Sequence, residues 1–487
     1  MPDRAESIPR NTFFALAMRI VGALFTGGLI LFLVRYLGPD DYGLYALAVG
    51  VGGLLVLPAD FGVSRSAARF IAERRHDDTE IAGVLRHALR LKLLGAGIGA
   101  VALIALAGPI SNAYDADGLE WPLRVMGLAV AGQSMMMLFT TTFEALGRNV
   151  LGFRLAFSES AIQVAATVTL VLAGAGVVGA TAGRATGYGV AAILGLAITL
   201  RAIGRRNLRV PSPTGLGIRQ IALYAGALLL IDSAFTAFGY IDTILIGAIR
   251  DPEAAGLFSA PYQILVVAEY VGMALAAAVA PRLARSEGAE PDVRALQMAL
   301  RVVLIFQFVL LAPIVVWADP ITDLLFGSDY AESADVFRAL APYVLMVGVG
   351  PVIALSVNYL GEARRRIPLA VGALVINVVL DLILIPKIGI VAGAIGTDVA
   401  FGFFLAGHIL LARSLLGLNL RPLGATLIRV SAAAGVMAGV LFAFGTETLS
   451  TIEWIAGGAL GLAAYAGVLV ATREIGRREI EEFRGLT

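Results

Sequence analysis

The sequence predicts an all-α polytopic membrane protein with about 14 transmembrane helices, arranged as two pseudo-symmetric six-helix bundles around a central cavity plus a C-terminal helix pair. Three observations predict this class. Of the 487 residues, 58% are hydrophobic and only 15% are charged, which is outside the range of soluble domains. Apolar runs of about 20 residues recur from end to end, and each can cross a bilayer core of roughly 30 Å. A motif near residue 40 also returns in the second half of the chain.

The distribution of basic residues among the loops predicts the topology. Loops on one face are rich in arginine, whereas the loops on the other face carry only Arg35, Arg250, Arg338 and Lys387. By the positive-inside rule, the arginine-rich face and both termini are cytoplasmic, and the protein lies in the cell membrane. The predicted spans are approximately 11–34, 43–71, 86–110, 122–146, 154–173, 180–203, 219–248, 256–281, 297–318, 337–360, 368–386, 390–412, 425–445 and 453–472.

The repeated motif indicates two halves that are built alike. The same pattern runs from Pro39 to Tyr45 and again from Pro252 to Phe258: a proline, an acidic residue, two further residues, a glycine, a leucine and an aromatic residue. Gly43 and Gly256 are predicted to lie at an outer hinge where helices two and eight begin. Because each half starts on the same face, the repeat is parallel about an axis along the membrane normal. The predicted domains are a six-helix lobe at 1–215, a second six-helix lobe at 216–415, and an extra helix pair with a cytoplasmic tail at 416–487.

Residue usage excludes several kinds of chemistry. The chain has no Cys and only three His, so disulfides, thiolate nucleophiles and His-based metal sites are not expected. No loop is long enough for a soluble catalytic domain, and neither lysine follows a glycine as a Walker motif requires. Gly174 through Gly179 match a dinucleotide fingerprint, but no acidic residue follows at the required distance, so this segment is interpreted as a tight turn. The net charge of +1 gives no sign of a nucleic-acid partner.

Three arginines in the first two spans need a reason, because a charge inside a bilayer costs at least ~2.5–3.5 kcal/mol. Arg19 lies in span one, while Arg65 and Arg69 share a face of span two at i,i+4 spacing. Guanidinium groups bind phosphate oxygens bidentately, so these residues are predicted to form a cationic pocket for a lipid diphosphate. The alternative is a structural Arg19–Asp60 pair, with Arg65 and Arg69 as topology anchors.

Polar residues elsewhere in the spans form a second candidate group. Asp60, Asp232 and Glu269 are predicted coupling-ion or cavity carboxylates, because a buried carboxylate that lacks a cationic neighbour can carry a proton. The candidate coupling ions are H⁺ and Na⁺, and no other cofactor is expected. Hydrogen bonding between helices is the alternative. Asn377 and Asp381, at i,i+4 in span eleven, are interpreted first as an interhelical contact and second as polar residues that line the cavity.

Glycines at four-residue spacing in span six, and again at Gly457 and Gly461 in the last span, are predicted to form close-packing surfaces. Gly179, Gly183 and Gly187 follow one another at four-residue spacing, which creates a smooth helix surface. Arg184 on span six is in a position to pair with Glu159 on span five.

Five short motifs follow one another along the chain. They are RYLGPDDYG at 35–43, Asp60-Phe61-Gly62, Gly256-Leu257-Phe258, Pro281-Arg282-Leu283 and LFGSDY at 325–330. In this order they resemble the polysaccharide flippases, the polysaccharide-transporter branch of the multidrug/oligosaccharidyl-lipid/polysaccharide flippase superfamily, over about residues 8–412. The resemblance implies alternating access and a cationic cavity, a pattern carried over to Arg19 and Arg65. The peptidoglycan-precursor flippases of the superfamily have a denser arginine set in the first helices.

The function that this resemblance implies is flipping of an undecaprenyl- or dolichyl-pyrophosphate-linked oligosaccharide from the cytoplasmic to the outer leaflet, for cell-surface polysaccharide, lipopolysaccharide O-antigen or glycan assembly. The implied partners are the lipid-linked substrate, membrane lipids, and glycosyltransferases and a polymerase of the same pathway. The protein is then not an enzyme, and no catalytic residue is expected. One alternative is an ion-coupled multidrug or small-molecule exporter of the same superfamily. Another is a membrane glycan polymerase or ligase, which the short predicted outer loop at 319–336 disfavours.

Overall fold

The computed structural model describes residues 8–74, 76–203, 218–279, 283, 291–360 and 362–475, and within these ranges the chain is helical with no β-strand. Pro281 and Arg282 of the Pro281-Arg282-Leu283 motif lie outside the described residues. The helices are α1 (Ile8–Asp60), α2 (Val63–Glu73), α3 (Asp78–Ala113), α4 (Glu120–Ala145), α5 (Asn149–Leu170), α6 (Gly176–Ile203), α7 (Ile218–Ile249), α8 (Pro252–Val266), α9 (Glu269–Val279), α10 (Val293–Val316), α11 (Ala318–Leu325), α12 (Ser333–Ala339), α13 (Ala341–Val347), α14 (Val349–Tyr359), α15 (Ile367–Ile388), α16 (Val391–Leu416), α17 (Arg421–Phe444) and α18 (Thr451–Ala471).

The helix lengths confirm an all-α, multi-pass membrane protein. Among the described residues, ten helices are long and apolar enough to cross a membrane, or eleven if the bent pair Ser333–Ala339 and Ala341–Val357 forms one span. Two of the ten, Ala17–Asp60 and Asn149–Ala202, comprise 44 and 54 residues and contain a break. Because about 20 residues suffice for one crossing, each is long enough for two. The count of fourteen spans stays a prediction.

Glycines with positive φ produce these breaks. Gly38 interrupts α1 with φ 75° and ψ 173°, and the chain turns between α5 and α6 at Gly174 and Gly176, with φ 88° and 49°. Only glycine adopts such angles without a steric penalty. The glycine-rich segment at 174–179 is therefore a turn and the start of a helix, as predicted. Gly389, between α15 and α16, repeats the geometry of Gly176 with φ 71° and ψ −146° against 49° and −134°. The recurrence supports the internal repeat.

The chain divides into two compact units, Met1–Gly256 and Leu257–Thr487. In the first unit, α7 packs against α1, α2 and α3. The predicted domain bounds at 1–215, 216–415 and 416–487 stay a prediction. A hydrophobic cluster of the first unit joins α2, α3, α4 and α7 around fully buried residues such as Ala67, Ile71, Leu85 and Ile221.

The two hinge motifs of the repeat contact each other within the first unit. A Cβ atom at Gly43 would overlap the carbonyl oxygen of Pro252, and one at Gly256 would overlap that of Pro39. Both obstacles are backbone atoms, so neither can move aside as a side chain could. The predicted hinge at Gly43 and Gly256 is therefore a direct crossing of two helix starts, at which only glycine fits.

Small residues also set the distance between α5 and α6. A Cβ at Gly187 would lie 2.7 Å from Cβ of Gln163, and one at Gly183 would overlap Thr167. The equivalent helices of the second unit, α15 and α16, use the same arrangement, since a Cβ at Gly396 would lie 3.1 Å from the Asn377 side chain. The close-packing glycine surface predicted on span six is confirmed, and the structure shows that its partner is α5. The recurrence of this arrangement at α15 and α16 again supports the repeat.

The C-terminal helix pair is attached to α10 by polar contacts as well as by apolar packing. The Tyr465 hydroxyl of α18 donates to the Ile305 carbonyl at 2.7 Å. Just beyond α18, the carboxylate of Glu474 is buried and accepts hydrogen bonds from Thr426 at 2.6 Å, Arg429 at 2.7 Å and Arg301 at 2.9 Å. This Glu474 cluster ties α10, α17 and the end of α18 together.

The Glu474 cluster predicts a pH dependence of stability. Burial raises the pKa of Glu474, but the hydrogen bonds from Thr426 and Arg429 and the Arg301 charge outweigh burial, so the pKa lies below its usual value. Such a group stabilises the fold above its unfolded pKa of roughly 4.3 and loses this contribution as the pH falls through the folded pKa. We expect the melting temperature of the wild type to fall more steeply below pH 5 than that of Glu474→Gln. Glu474→Gln should itself cost about 1–3 kcal/mol at neutral pH.

The matched control is Glu447→Gln, because Glu447 is exposed in the loop before α18. Its melting temperature should follow the wild-type pH profile. Identical pH profiles for the wild type and Glu474→Gln would contradict the assignment.

Candidate functional site

Arg19 and Arg65, the two residues carried over from the resemblance, both lie within electrostatic reach of one carboxylate in the first unit. Arg19 lies on α1 and Arg65 on α2, and both side chains are exposed. The carboxylate of Glu144, at the last turn of α4, lies within electrostatic reach of both guanidinium groups. We call these three residues the Arg19–Arg65–Glu144 cluster. It carries two positive charges and one negative charge, so its formal charge is about +1 when all three groups are ionised.

Glu144 was not among the site residues predicted from the sequence. An acidic residue near the end of an apolar span could have marked it as a candidate. Its relation to two arginines on other helices depends on how α1, α2 and α4 pack, which local sequence does not reveal.

Arg69 has a local partner on its own helix. Its Nε donates to Glu73 at 3.0 Å, one turn further along α2, and its guanidinium lies 5.8 Å from the centre of the Phe70 ring. Both side chains of the ion pair are about half exposed, so the pair contributes little to stability. The predicted role of Arg69 in diphosphate binding stays a prediction, and Glu73 offsets part of its charge.

A fully buried ion pair lies at the end of α1. Lys92 of α3 has no exposed surface, and its ammonium group contacts the carboxylate of Asp60 and the Ser134 carbonyl. It also donates to the Ser134 hydroxyl at 2.9 Å, while the Ser64 hydroxyl donates to Asp60 at 2.5 Å. All three donors of the ammonium group are thus used within the first unit. Asp60 therefore pairs with Lys92, and not with Arg19 as in the alternative interpretation of the sequence.

The Lys92–Asp60 pair stands beside a break in the second span. Phe61 and Gly62 have φ values of 51° and 67°, and α2 begins immediately after them. A Cβ at Gly62 would overlap the Ala225 carbonyl of α7, and the Ser66 hydroxyl donates to the Ile221 carbonyl at 3.0 Å. Thus Asp60, before the break, is bonded to Lys92 of α3, which also bonds Ser134 of α4. The segment after the break is bonded both to α4, through Thr141 and the Ser64 carbonyl at 3.3 Å, and to α7.

Lys92 was not among the site residues predicted from the sequence, although it is one of only two lysines and lies within an apolar run. A lysine at such a position needs a partner, because a charge in a span is costly. The spacing of Lys92 alone could not identify Asp60, since the two residues are on different helices.

The remaining predicted residues lie apart from these groups. Asp232 is on α7, but its side chain is outside the described part of the structure. Glu269 is half-buried at the start of α9, directly after a break that follows α8. Asn377 and Asp381 have no exposed surface and face Gly396 on α16. Their burial between α15 and α16 favours the interhelical interpretation, and cavity lining stays a prediction.

No metal site is evident in the described part of the chain, where no group of three or more His, Asp or Glu side chains is placed to hold an ion. Among the charged groups that the described helices bring together in the first unit are two arginines with a carboxylate, and a lysine with a carboxylate. Such groups inside an apolar helical bundle are typical of membrane transport proteins, because intramembrane charges commonly mark substrate or ion pathways.

Comparisons with known proteins identify the family of this membrane protein. The chain belongs to the polysaccharide biosynthesis protein family, whose model matches residues 8–287. A Haloferax volcanii protein named "Probable low-salt glycan biosynthesis flippase Agl15" is 21% identical over 455 residues, which cover 92% of both chains. A Shigella flexneri protein that carries the name of an O-antigen transporter is 19% identical over 415 residues, covering 81% of this chain and 94% of its own.

Solved structures share the fold. The lipid II flippase MurJ in an inward closed conformation matches with a TM-score of 0.73 and 14% identity, over 95% of this chain and 99% of MurJ. An inward-facing multidrug resistance transporter of the MATE family matches with a TM-score of 0.61 and 17% identity, over 83% and 98% of the two chains. At these identities the likeness shows the architecture alone.

Proposed function

We propose that this protein is a flippase that moves a polyprenyl-pyrophosphate-linked oligosaccharide from the cytoplasmic to the outer leaflet by alternating access. The observation that carries the proposal is the convergence of Arg19 and Arg65, from two different helices, on Glu144. The family of the chain and the names of its relatives, a glycan biosynthesis flippase and an O-antigen transporter, agree with it. The likeness to the lipid II flippase MurJ supports the same class of fold.

The Arg19–Arg65–Glu144 cluster suits a diphosphate group. Each guanidinium can donate two parallel hydrogen bonds to phosphate oxygens, and such charge-assisted bonds are roughly twice as strong as neutral ones. In the absence of substrate, Glu144 offsets part of the arginine charge. A diphosphate brings more negative charge than one carboxylate, so it competes successfully for both arginines. Because Glu144 remains as a competitor, the diphosphate can also be released again.

The predicted topology supplies the direction of transport. With both termini cytoplasmic, Glu144 at the end of α4 and Arg65 on α2 lie toward the cytoplasmic face, where the lipid-linked precursor is loaded. The prenyl chain stays in the bilayer throughout, since moving it through a polar cluster would be unfavourable. No covalent bond is made or broken, so the protein is not an enzyme. Glycosyltransferases and a polymerase of the same pathway are the proposed partners that supply and consume the substrate.

Coupling to H⁺ or Na⁺ is part of the proposal. Asp60 is buried at a helix break but is paired with Lys92 of another helix, so it can take up a coupling ion only when this pair separates. Glu269 also adjoins a helix break, and Asp232 is kept as a candidate on the sequence alone. Ion-coupled export of drugs is a weaker alternative, because a pair of arginines would repel cationic compounds.

Replacing Arg19 or Arg65 is expected to slow transport of the lipid-linked oligosaccharide. In liposomes that contain a fluorescent prenyl-pyrophosphate oligosaccharide, Arg19→Ala and Arg65→Ala should each reduce the rate of flipping by roughly 10- to 100-fold, the effect of losing a charge-assisted hydrogen bond. Flipping is measured as accessibility of the label to a membrane-impermeant quencher.

The matched control is Arg154→Ala, because Arg154 is an exposed arginine on α5. This variant should transport at the wild-type rate. Wild-type protein that moves no substrate above empty vesicles would overturn the proposed function. Normal transport by Arg19→Ala and Arg65→Ala would overturn only the diphosphate pocket.

A further inference from the structure

A second charged group of the first unit lies far from the Arg19–Arg65–Glu144 cluster. Arg184 is on α6, eight residues after its start at Gly176, or about 12 Å along the helix. Four groups lie within its electrostatic reach: the hydroxyls of Tyr188, Tyr45 and Tyr240 and the carboxylate of Glu159. They come from α6, α1, α7 and α5. Since four helices of the first unit contribute, Arg184 points into this unit and not toward lipid.

Most of the N–H donors of Arg184 have no hydrogen-bond partner among the described residues. Its Nη2 donates to the Tyr188 hydroxyl at 3.4 Å, and its guanidinium lies 5.2 Å from the centre of the Tyr188 ring. Within the described residues Arg184 makes no ion pair with Glu159, whose carboxylate accepts from Ser160 at 3.0 Å. Arg184 and Glu159 therefore interact electrostatically, as their predicted pairing requires, but without direct contact. The guanidinium has five N–H donors, and no nitrogen of Arg184 is both buried and unbonded. Its remaining N–H groups are therefore open to a ligand.

Glycines allow neighbouring helices to pack closely against the Tyr240 ring and the Tyr188 backbone. A Cβ at Gly53 of α1 would lie 2.9 Å from a carbon of the Tyr240 ring, and one at Gly132 of α4 would lie 3.0 Å from Cβ of Tyr188. Tyr45 is buried, and its ring centre is 6.0 Å from that of Tyr42. Rings that are fixed by close backbone contact lose little entropy when they bind a ligand, so they form a preorganised surface.

The Arg184 group differs from the Arg19–Arg65–Glu144 cluster in its net charge and in its tyrosine content, and both differences indicate the kind of ligand it binds. Arg184 and Glu159 cancel formally, whereas the Arg19–Arg65–Glu144 cluster keeps about one positive charge. A net neutral group is a poor second phosphate site. Tyrosine rings offer apolar surface to the C–H face of a sugar ring, and the guanidinium, carboxylate and phenol groups can donate to or accept from its hydroxyls.

We propose that Arg184, Tyr45, Tyr188, Tyr240 and Glu159 form a subsite for an uncharged sugar of the glycan. This inference rests on the proposed function and deepens it. Helix α5 has 22 residues, about 33 Å, and connects the end near Glu144 to the end near Gly176. Arg184 is about 12 Å from the latter end, so the two sites are separated by roughly 20 Å along the helices. That distance places a sugar distal to the diphosphate, not the first sugar, in the subsite.

The test compares two probes of the same lipid diphosphate, farnesyl diphosphate that carries either one N-acetylhexosamine or a neutral pentasaccharide of this sugar. Binding to the purified full-length protein is measured by microscale thermophoresis. The wild type should bind the pentasaccharide probe roughly tenfold more tightly, and Arg184→Gln should remove this difference, as expected for the loss of a charge-assisted hydrogen bond. Its affinity for the monosaccharide probe should remain unchanged.

Two control variants separate the outcomes. Arg154→Gln, the same replacement at an exposed position on α5, should behave as the wild type with both probes. Tyr188→Phe should weaken only the pentasaccharide probe, while keeping the ring. Equal wild-type affinity for the two probes, or an equal loss for both in Arg184→Gln, would overturn the subsite. Wild-type protein that binds neither probe would instead overturn the proposed function.

Discussion

Replacing Lys92 with Met is expected to lower the free energy of unfolding by about 3–5 kcal/mol, the cost of leaving a buried charge without its partner. Asp60 would remain 3% exposed with only the Ser64 hydroxyl as a described donor. The Ser134 carbonyl and hydroxyl would lose their bonds to the ammonium group as well. Met has nearly the length of Lys, so the change removes the charge with little change in volume. Thermal unfolding in detergent measures the effect.

Two further variants make this prediction specific. The double variant Lys92→Met with Asp60→Asn should recover a large part of the lost stability, because it removes both charges together. Lys387→Met changes the only other lysine, which is exposed at the end of α15, and should leave the melting temperature unchanged. A melting temperature of Lys92→Met equal to that of the wild type would show that the buried pair does not stabilise the fold.

Adding one methyl group at Gly43 is expected to cost about 1–3 kcal/mol and to slow transport, because the Cβ would overlap the Pro252 carbonyl. Gly256→Ala should act in the same way through the Pro39 carbonyl. A clash with backbone is relieved only when the two helix starts separate, so both variants weaken any conformation in which this crossing is closed. Melting temperature and the liposome flipping assay together measure the effect.

The control variant is not expected to lower the stability of the protein. A Cβ at Gly27 would meet no atom within 4 Å. Gly27→Ala, in the helical part of α1 before Gly38, is therefore expected to be neutral or to stabilise the protein by up to about 1 kcal/mol through helix propensity. If Gly43→Ala and Gly27→Ala shifted the melting temperature alike, the crossing of Gly43 and Gly256 would not be a tight contact.

The properties that the sequence determined by itself are those that each segment carries alone. Apolar runs of membrane-spanning length predict a multi-pass helical protein wherever they pack, because the bilayer demands that backbone groups be bonded within each helix. The motif at Gly43 and its copy at Gly256 revealed the repeat, and glycine spacing revealed the close-packing surface of α6. Arg19 and Arg65 could be singled out because a charge in an apolar run is costly in any fold.

Which charged groups meet depends on how the helices pack. Sequence analysis offered Arg19 as a partner for Asp60 and Glu159 as a partner for Arg184, whereas the structure gives Lys92 to Asp60 and tyrosines from several helices to Arg184. Glu144 was not singled out at all. The physical reason is that every face of a membrane-spanning helix is apolar enough to contact lipid. Hydrophobic periodicity therefore does not show which face of the helix points into the protein. The partners of a buried charge are set by the rotation of its helix and by neighbouring helices, and those follow from packing of the whole unit.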